Sequence, residues 1–560
     1  MTGNSPERKA GERYTDLPKW KISMNQVLEL PDEDGPRFAL ADALEETGFT
    51  ARAELIRVQC ELARLHPGEA RFVELSRREY ELLQAYEYEW KRQEMSLMGL
   101  DPDHVQFRRG VIEYLRTIDF HSTDQAVRFL EANPTIREWE CDTDGYEEFS
   151  LRKLLASPQA KNLKRLCVLD HGRETVPVGE LLGPTECRLQ WLSLIGAMSG
   201  DDLSAILHAP LCEQLKEFEM GEADDRCCEI IQTWEGRTRL RFLSLGERTF
   251  FQGNNRFTVP FPALEELHFD ARNFDPDSRY SASSIFPALR RCTVNYTGQS
   301  PYQTLAQIIP LEQLESLRLE ACDPSDLPDL SATPIRTLEL DTVCYRPSPL
   351  SLRRLPRNLQ DLSLRTQQGG GSLFRIDDTG TPPAALKMVY LSGGALVSGD
   401  RLLTKLQPEV LVLRGPQDAD VLAVPEGSSP LRTRSIDLTG AKSVRGMLGT
   451  IAKNPAFSAL EELRFSGDLD SRDTARKGNE RLMKALRELA AAPHLTNLYL
   501  VHTDFPLPAE LEQRMEENGA RVRAKRNAAF DQEYARVRQM AAEALQLEGQ
   551  SGASKEPTGE

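Results

Sequence analysis

The pattern apolar-x-x-apolar-x-apolar returns down most of the chain, and no other feature restricts the fold as much. Clear copies are LQWLSL from Leu189, LRFLSL from Leu240, LEELHF from Leu264, LESLRL from Leu314, IRTLEL from Ile335, LQDLSL from Leu359, LEELRF from Leu460 and LTNLYL from Leu495. Weaker ones start at Leu163, Leu215, Leu289 and Leu386, with degenerate copies at Pro408 and Thr433; IREWEC from Ile136 reads as the first. Successive starts from Leu163 to Leu460 lie 21 to 27 residues apart, and 35 more lead to Leu495. Fifteen copies near a 25-residue period are not a chance recurrence of leucines. Within each copy the fourth and sixth residues alternate as in a strand and point to one side, while the third and fifth point to the other. A unit this short cannot bury its apolar face alone, so copies must stack into a parallel sheet.

The segments between copies carry the return. Pro158, Pro210, Pro262, Pro287, Pro310, Pro334, Pro356, Pro430, Pro455 and Pro493 each precede a copy and close a return helix or turn. The stretches 201–207, 224–234 and 479–490 have helical periodicity. These residues resemble leucine-rich repeats over roughly 136–505, and the resemblance implies an α/β solenoid, a horseshoe with a parallel concave sheet. The family usually places Asn or Cys at the ninth position, where the side chain satisfies turn backbone. Here only Cys322 fits, among residues such as His171, Ala197, Arg272 and Ala441, so irregular turns are expected.

Residues 20–135 follow a different, mainly helical pattern. PDEDGPRFALADALEETG (31–48) has acidic capping residues, Pro36 in the first turn and Gly48 at the stop. Leu55, Val58, Leu62 and Leu65 form one apolar helix face, and a helix over about 69–98 turns Leu75, Leu82, Leu83, Tyr86 and Trp90 inward. A strand-like stretch, 105–118, leads toward the first repeat. Asp32, Glu33, Asp34, Pro36, Arg37, Ala41, Asp42, Leu44 to Glu46 and Gly48, then Arg52 to Gln59 and Phe107 to Gly110, are similar to the repeat-companion domain found ahead of leucine-rich repeats in planctomycetes and myxobacteria. That resemblance implies a bacterial protein and carries no activity with it. Asp42, Glu45 and Glu46 read as a solvated helix face, with Arg52 and Arg57 pairing with those acids or capping the domain.

The expected organisation is a flexible 1–19, the helical domain 20–135, the solenoid 136–505, a C-terminal cap and helix 506–549, and a disordered 550–560. The helix 527–549 places Phe530, Tyr534, Val537 and Ala541 on one face, and Arg521, Arg523, Lys525 and Arg526 read as a solvated cap edge.

Composition narrows the function. The net charge of −17 argues against a nucleic-acid partner, because phosphate binding needs a basic face. Ten cysteines without a C-x-x-C pair do not make a disulfide scaffold, and they suit a reducing cytoplasm. No signal peptide and no membrane-spanning apolar run is evident, so no membrane partner is expected. No nucleophile elbow, phosphate loop or zinc-protease motif occurs. Gly369 to Ser372 reads as a loop, and Asp142, Asp144, Glu147 and Glu148 as an acidic turn rather than a calcium site. Asp170-His171 lacks a placed nucleophile, and Cys227-Cys228 reads as packing. Neither a cofactor nor a metal is expected, and the chain reads as a binding protein rather than an enzyme.

The leading expectation is an interaction scaffold that takes a protein or peptide on its concave sheet. The alternative is an inhibitor or immunity-type protein that neutralises a basic enzyme through acidic surface. The candidate contacts are third- and fifth-position residues: Trp191, Phe242, His268, Arg291 and Arg318 in a row, and Tyr390 further along. Outward Trp and Phe beside Arg is a hot-spot composition. The competing expectation is that the N-terminal module or a loop covers those aromatics.

Overall fold

The computed structural model describes residues 14–65, 70–95, 101–117, 120, 122–142, 150–169, 178–196, 198–221, 225–246, 257–270, 282–295, 305, 309–342, 348–366, 374–377, 380–393, 402–415, 419–425, 427–439, 441, 444–465, 475–495, 498–501, 513 and 518. The chain divides into two compact units, Met1–Leu386 and Lys387–Glu560.

The first unit opens with four helices, α1 (Pro18–Glu29), α2 (Asp34–Glu46), α3 (Thr50–Leu62) and α4 (Ala70–Glu94). Pro18 starts α1 where a missing N–H costs nothing. Gly48, at φ +84°, follows the end of α2 in the left-handed region that glycine adopts freely. Leu40, Leu44, Leu55, Ile56, Val58, Leu75, Leu82 and Trp90 are buried where these helices pack. Tyr86, expected to point inward, is 43% exposed and stacks beside Trp90 instead.

A hairpin, β1 (Val105–Arg108) and β2 (Val111–Thr117), follows and is antiparallel. Its two linking residues, Arg109 and Gly110, both have positive φ (46° and 86°), as in a type I′ turn whose twist matches that of the strands. A Cβ at Gly110 would lie 2.7 Å from Ile56 Cα, so α3 demands glycine here as well. Helix α3 also clamps the turn: Gly110 N–H donates to Gln59 Oε1 (2.8 Å), and Arg52 donates to the Gly110 carbonyl (2.8 Å). The segments around Arg52–Gln59 and Phe107–Gly110, far apart in sequence, are thus two halves of one contact.

Strand β2 then pairs in parallel with β3 (Glu138–Asp142), so the stretch read only as leading toward the repeats is itself a rung of the sheet. Parallel pairing continues in chain order through β4 (Arg165–Leu169), β5 (Trp191–Ile195), β6 (Glu217–Met220), β7 (Phe242–Leu245), β8 (Glu266–Asp270), β9 (Arg291–Asn295), β10 (Ser316–Glu320) and β11 (Thr337–Thr342). Two short strands in the return segments, β12 (Ser348–Ser351) and β14 (Phe374–Asp377), pair with each other. Between them in sequence, β13 (Asp361–Thr366) continues the main ladder beside β11. The register follows the repeat: Leu267 sits between Leu243 and Cys292. First, fourth and sixth positions form the core; Ile136, Trp139 and Cys141 of the first copy are buried, as are Leu264, Leu267 and Phe269.

The returns are short because each spans one rung. Helices cover Gly200–Leu207, capped by the Ser199 side chain, and Asp225–Thr233, which buries Cys227 and Cys228. Pro158 and Pro210 stand three residues past the ends of the return helices Leu151–Leu155 and Gly200–Leu207. They open one-turn 3-10 helices (Pro158–Asn162 and Pro210–Cys212) that feed the next copy, using a residue without an N–H where a first turn has none to satisfy.

In the second unit, β15 (Met388–Ser392), β16 (Val410–Leu413), β17 (Ser435–Asp437), β18 (Glu462–Arg464) and β19 (Tyr499–Val501) also pair in parallel in chain order. Helices Val444–Lys453 and Ala475–Ala491 lie in its returns. Asn518 is buried and donates to the Leu498 carbonyl (3.1 Å), which ties one residue of the expected cap to the last copy. The fold is therefore α/β and solenoid-like, with mainly parallel strands joined by helices and turns. Residues 1–13, 143–149, Asp170-His171, Gly369 to Ser372, Cys344, the basic cluster 521–526, the helix 527–549, the tail 550–560 and every ninth position except Cys322 and Ala441 lie outside the described residues.

Candidate binding face

Third- and fifth-position side chains leave the sheet opposite the core. Trp191, Phe242, His268, Arg291 and Arg318, all in the first unit, are half-buried. Parallel register places Trp191, Glu217, Phe242 and Glu266 side by side on β5 to β8, with Ser193, Glu219, Ser244 and His268 as the neighbouring row. Trp191 is half-buried, and one face of its indole carries a side chain of the sheet itself. Arg165, one strand earlier, lies with its guanidinium 4.5 Å above the indole and reaches across to Glu217 (2.7 Å), with Glu138 at 3.5 Å. Phe242 meets His268 edge to face at 4.9 Å.

The rest of the face is a lattice of opposite charges. Glu266 accepts from His268 (2.8 Å) and Arg291 (2.7 Å). Burial alone would raise its pKa, but those two partners outweigh it and hold the carboxyl at about 2 against an ordinary 4.5. A carboxyl depressed in this way stabilises the fold above its ordinary pKa, and that contribution fades as the pH falls toward 2. Arg318 belongs to a second cluster with Glu320 (2.7 Å) and Glu339 (3.9 Å), and Arg365 meets Glu339 from the other side at 3.2 Å. Arg64, beyond the end of α3, joins His268, Arg291, Arg318, Glu266 and Glu339 around a cavity of about 760 Å³. The row is thus split: Trp191 and Phe242 flank Glu217, while His268, Arg291 and Arg318 line the cavity.

Tyr390 lies in the second unit, half-buried on β15 opposite Val412. There Arg414 makes a two-pronged pair with Asp437 (2.8 and 3.1 Å), and Arg464 pairs with Glu462.

The residues missed in the sequence are the charged partners: Arg165, Glu217, Glu266, Glu339 and Arg365. A signal for them existed. Glu266 and Arg291 occupy the same motif position in successive copies, and so do Arg290 and Glu315, which pair at 2.5 Å. Opposite signs one repeat apart are neighbours once the register is known.

Among the N-terminal helices, Arg57 pairs with Asp42 (2.8 Å) and Glu45 (2.6 Å), and Lys19 with Glu46 (2.5 Å). Arg52 does not join those acids. It is buried between Trp90 and Phe107, holds Glu94 through Nε (2.5 Å) and Nη2 (2.9 Å), and shares that carboxylate with Tyr14 (2.5 Å). Burial opposes the charge on Arg52, but Glu94 beside it raises the pKa above the ordinary arginine value. Arg37 is likewise buried, on Glu113 and the Pro31 and Glu33 carbonyls. Asp34 accepts from Arg109 (2.6 Å) and Arg64, and Asp32 from Arg137 (2.8 Å) just before β3.

The nine cysteines among the described residues are buried, and burial pushes the thiols of Cys60, Cys187 and Cys212 up to about 12. Among the described residues no three His, Cys, Asp or Glu side chains gather as a metal site, and no helix is long and apolar enough to cross a membrane. Comparison of the chain with known protein families and with curated proteins found no match.

Proposed function

We propose that the chain is a leucine-rich-repeat protein with a repeat-companion domain over 20–135, and that it acts in the cytoplasm by binding a protein or peptide on its concave sheet. The supporting observation is the division of labour within each copy: fourth and sixth positions are core, while the opposite side of β5 to β10 carries the half-buried Trp191, Phe242, His268, Arg291 and Arg318 among acidic and small polar neighbours. Trp191 is its anchor, because a large ring already held in place loses little freedom on binding. With a partner captured from lysate of the source organism, Trp191→Ala weakens binding by about 2 kcal/mol or more in titration calorimetry. Ser363→Ala, on β13 of the same sheet, leaves it unchanged. Equal affinities of both variants would move the site off this face. The alternative, an inhibitor of a basic enzyme, is favoured by Glu138 and Glu140 on β3 and Glu217 and Glu219 on β6, which occupy the same third and fifth positions of their copies; in that case the captured partner carries an activity that binding silences.

A further inference from the structure

We propose that β5, β6 and β7 form a seat for a cationic side chain, Lys or Arg on an extended basic peptide segment, between Trp191 and Phe242 and against the carboxylates of Glu217 and Glu219. This rests on the reading that the face binds a protein or peptide, and it names the chemistry of that partner.

The register supplies the seat. Glu217 stands between Trp191 and Phe242, and Glu219 between Ser193 and Ser244. Two strand steps of about 4.8 Å set the ring attachment points about 10 Å apart, a width in which one cation can approach both rings within roughly 6 Å. Glu219 is half-buried and has neither a hydrogen bond nor an ion pair among the described residues, while both flanking serines are buried. A carboxylate placed so, on a face where its neighbours are paired, is a vacant acceptor.

Arg165 shows that the seat suits a guanidinium. It leaves its own strand to lie over the Trp191 ring and bind Glu217, the same combination of aromatic face and carboxylate that an incoming arginine would use. Charge complementarity gives the sign. At third and fifth positions of β5 to β7 the charged side chains are Glu217 and Glu219, beside Trp191, Ser193, Phe242 and Ser244. A cationic side chain at this seat is attracted, and an acidic one is repelled.

The test uses the full chain and short fluorescein-labelled peptides of alternating Arg and Ser, with Glu/Ser counterparts, followed by anisotropy at low and raised salt. The Arg/Ser peptide binds, weakens as salt rises, and loses about tenfold in affinity to Glu219→Gln and nearly all of it to Glu219→Lys. Arg165→Gln strengthens binding several-fold, because the resident guanidinium no longer occupies Trp191 and Glu217. Circular dichroism checks that each variant is folded. No binding by the Arg/Ser peptide, equal binding by the Glu/Ser peptide, or an unchanged affinity in Glu219→Gln overturns the proposal. If the captured partner still depends on Trp191 while these peptides fail, the face remains a binding face and only the cationic seat is lost.

Discussion

Leu267→Asp lowers stability by roughly 3 kcal/mol or more in chemical denaturation. Leu267 is fully buried at the fourth position of its copy, between Leu243 and Cys292 on the flanking strands. The core of a stacked repeat is one copy deep, so neighbouring rungs cannot rearrange to give a carboxylate water or a partner. Either the acid stays neutral against its ordinary pKa or the rung opens. Ser316→Asp is the control: half-buried on the opposite side of β10 and in register with Arg291, it changes stability by less than about 1 kcal/mol. Similar losses in both variants would mean that the two sides of the sheet are assigned wrongly.

Arg52→Ala has an effect of the same size for an electrostatic reason. The guanidinium holds both oxygens of Glu94, whose side chain is 4% exposed, and donates to the Gly110 carbonyl at the hairpin turn. Removing it leaves a buried carboxylate with Tyr14 as its remaining donor among these groups and takes the cation from between Trp90 and Phe107. Breaking a buried pair from one side costs roughly 3 to 5 kcal/mol. Arg52→Lys recovers only part of that, since an ammonium cannot reproduce the planar fork. Urea denaturation of the three proteins measures it, and a loss below about 1 kcal/mol in Arg52→Ala would show that the pair does not hold these helices to the hairpin.

What the sequence revealed follows from the range of the forces involved. The spacing of Leu264, Leu267 and Phe269 reports a burial pattern fixed within six residues, and it placed strand after strand, down to Trp139 and Cys141 in the first copy. Gly48 and Pro36, at the two ends of α2, are local signals of the same kind. Strand β2 was read only as leading toward the repeats because its outer neighbour is β1, an antiparallel partner supplied by a turn rather than by a repeat. Arg52 was read as pairing with the nearby acids of α2 or capping the domain, although its partner Glu94 lies 42 residues away on α4. On the face, the positions of Trp191 and Phe242 were legible, but their surroundings were not. Arg165 reaches Glu217 across 52 residues of chain and one intervening strand, which no local window contains.

The claim that the sheet face opposite the core is where this protein meets its partner has a direct measurement. A photo-reactive phenylalanine analogue is placed at position 242 on that face, or at position 229 on the return helix, where Glu229 is exposed. Each full-length protein is irradiated in source lysate and its adducts are identified by mass spectrometry. The account predicts one defined adduct from position 242, lost on Trp191→Ala, and none from position 229. An adduct from position 229 with none from 242 would contradict it.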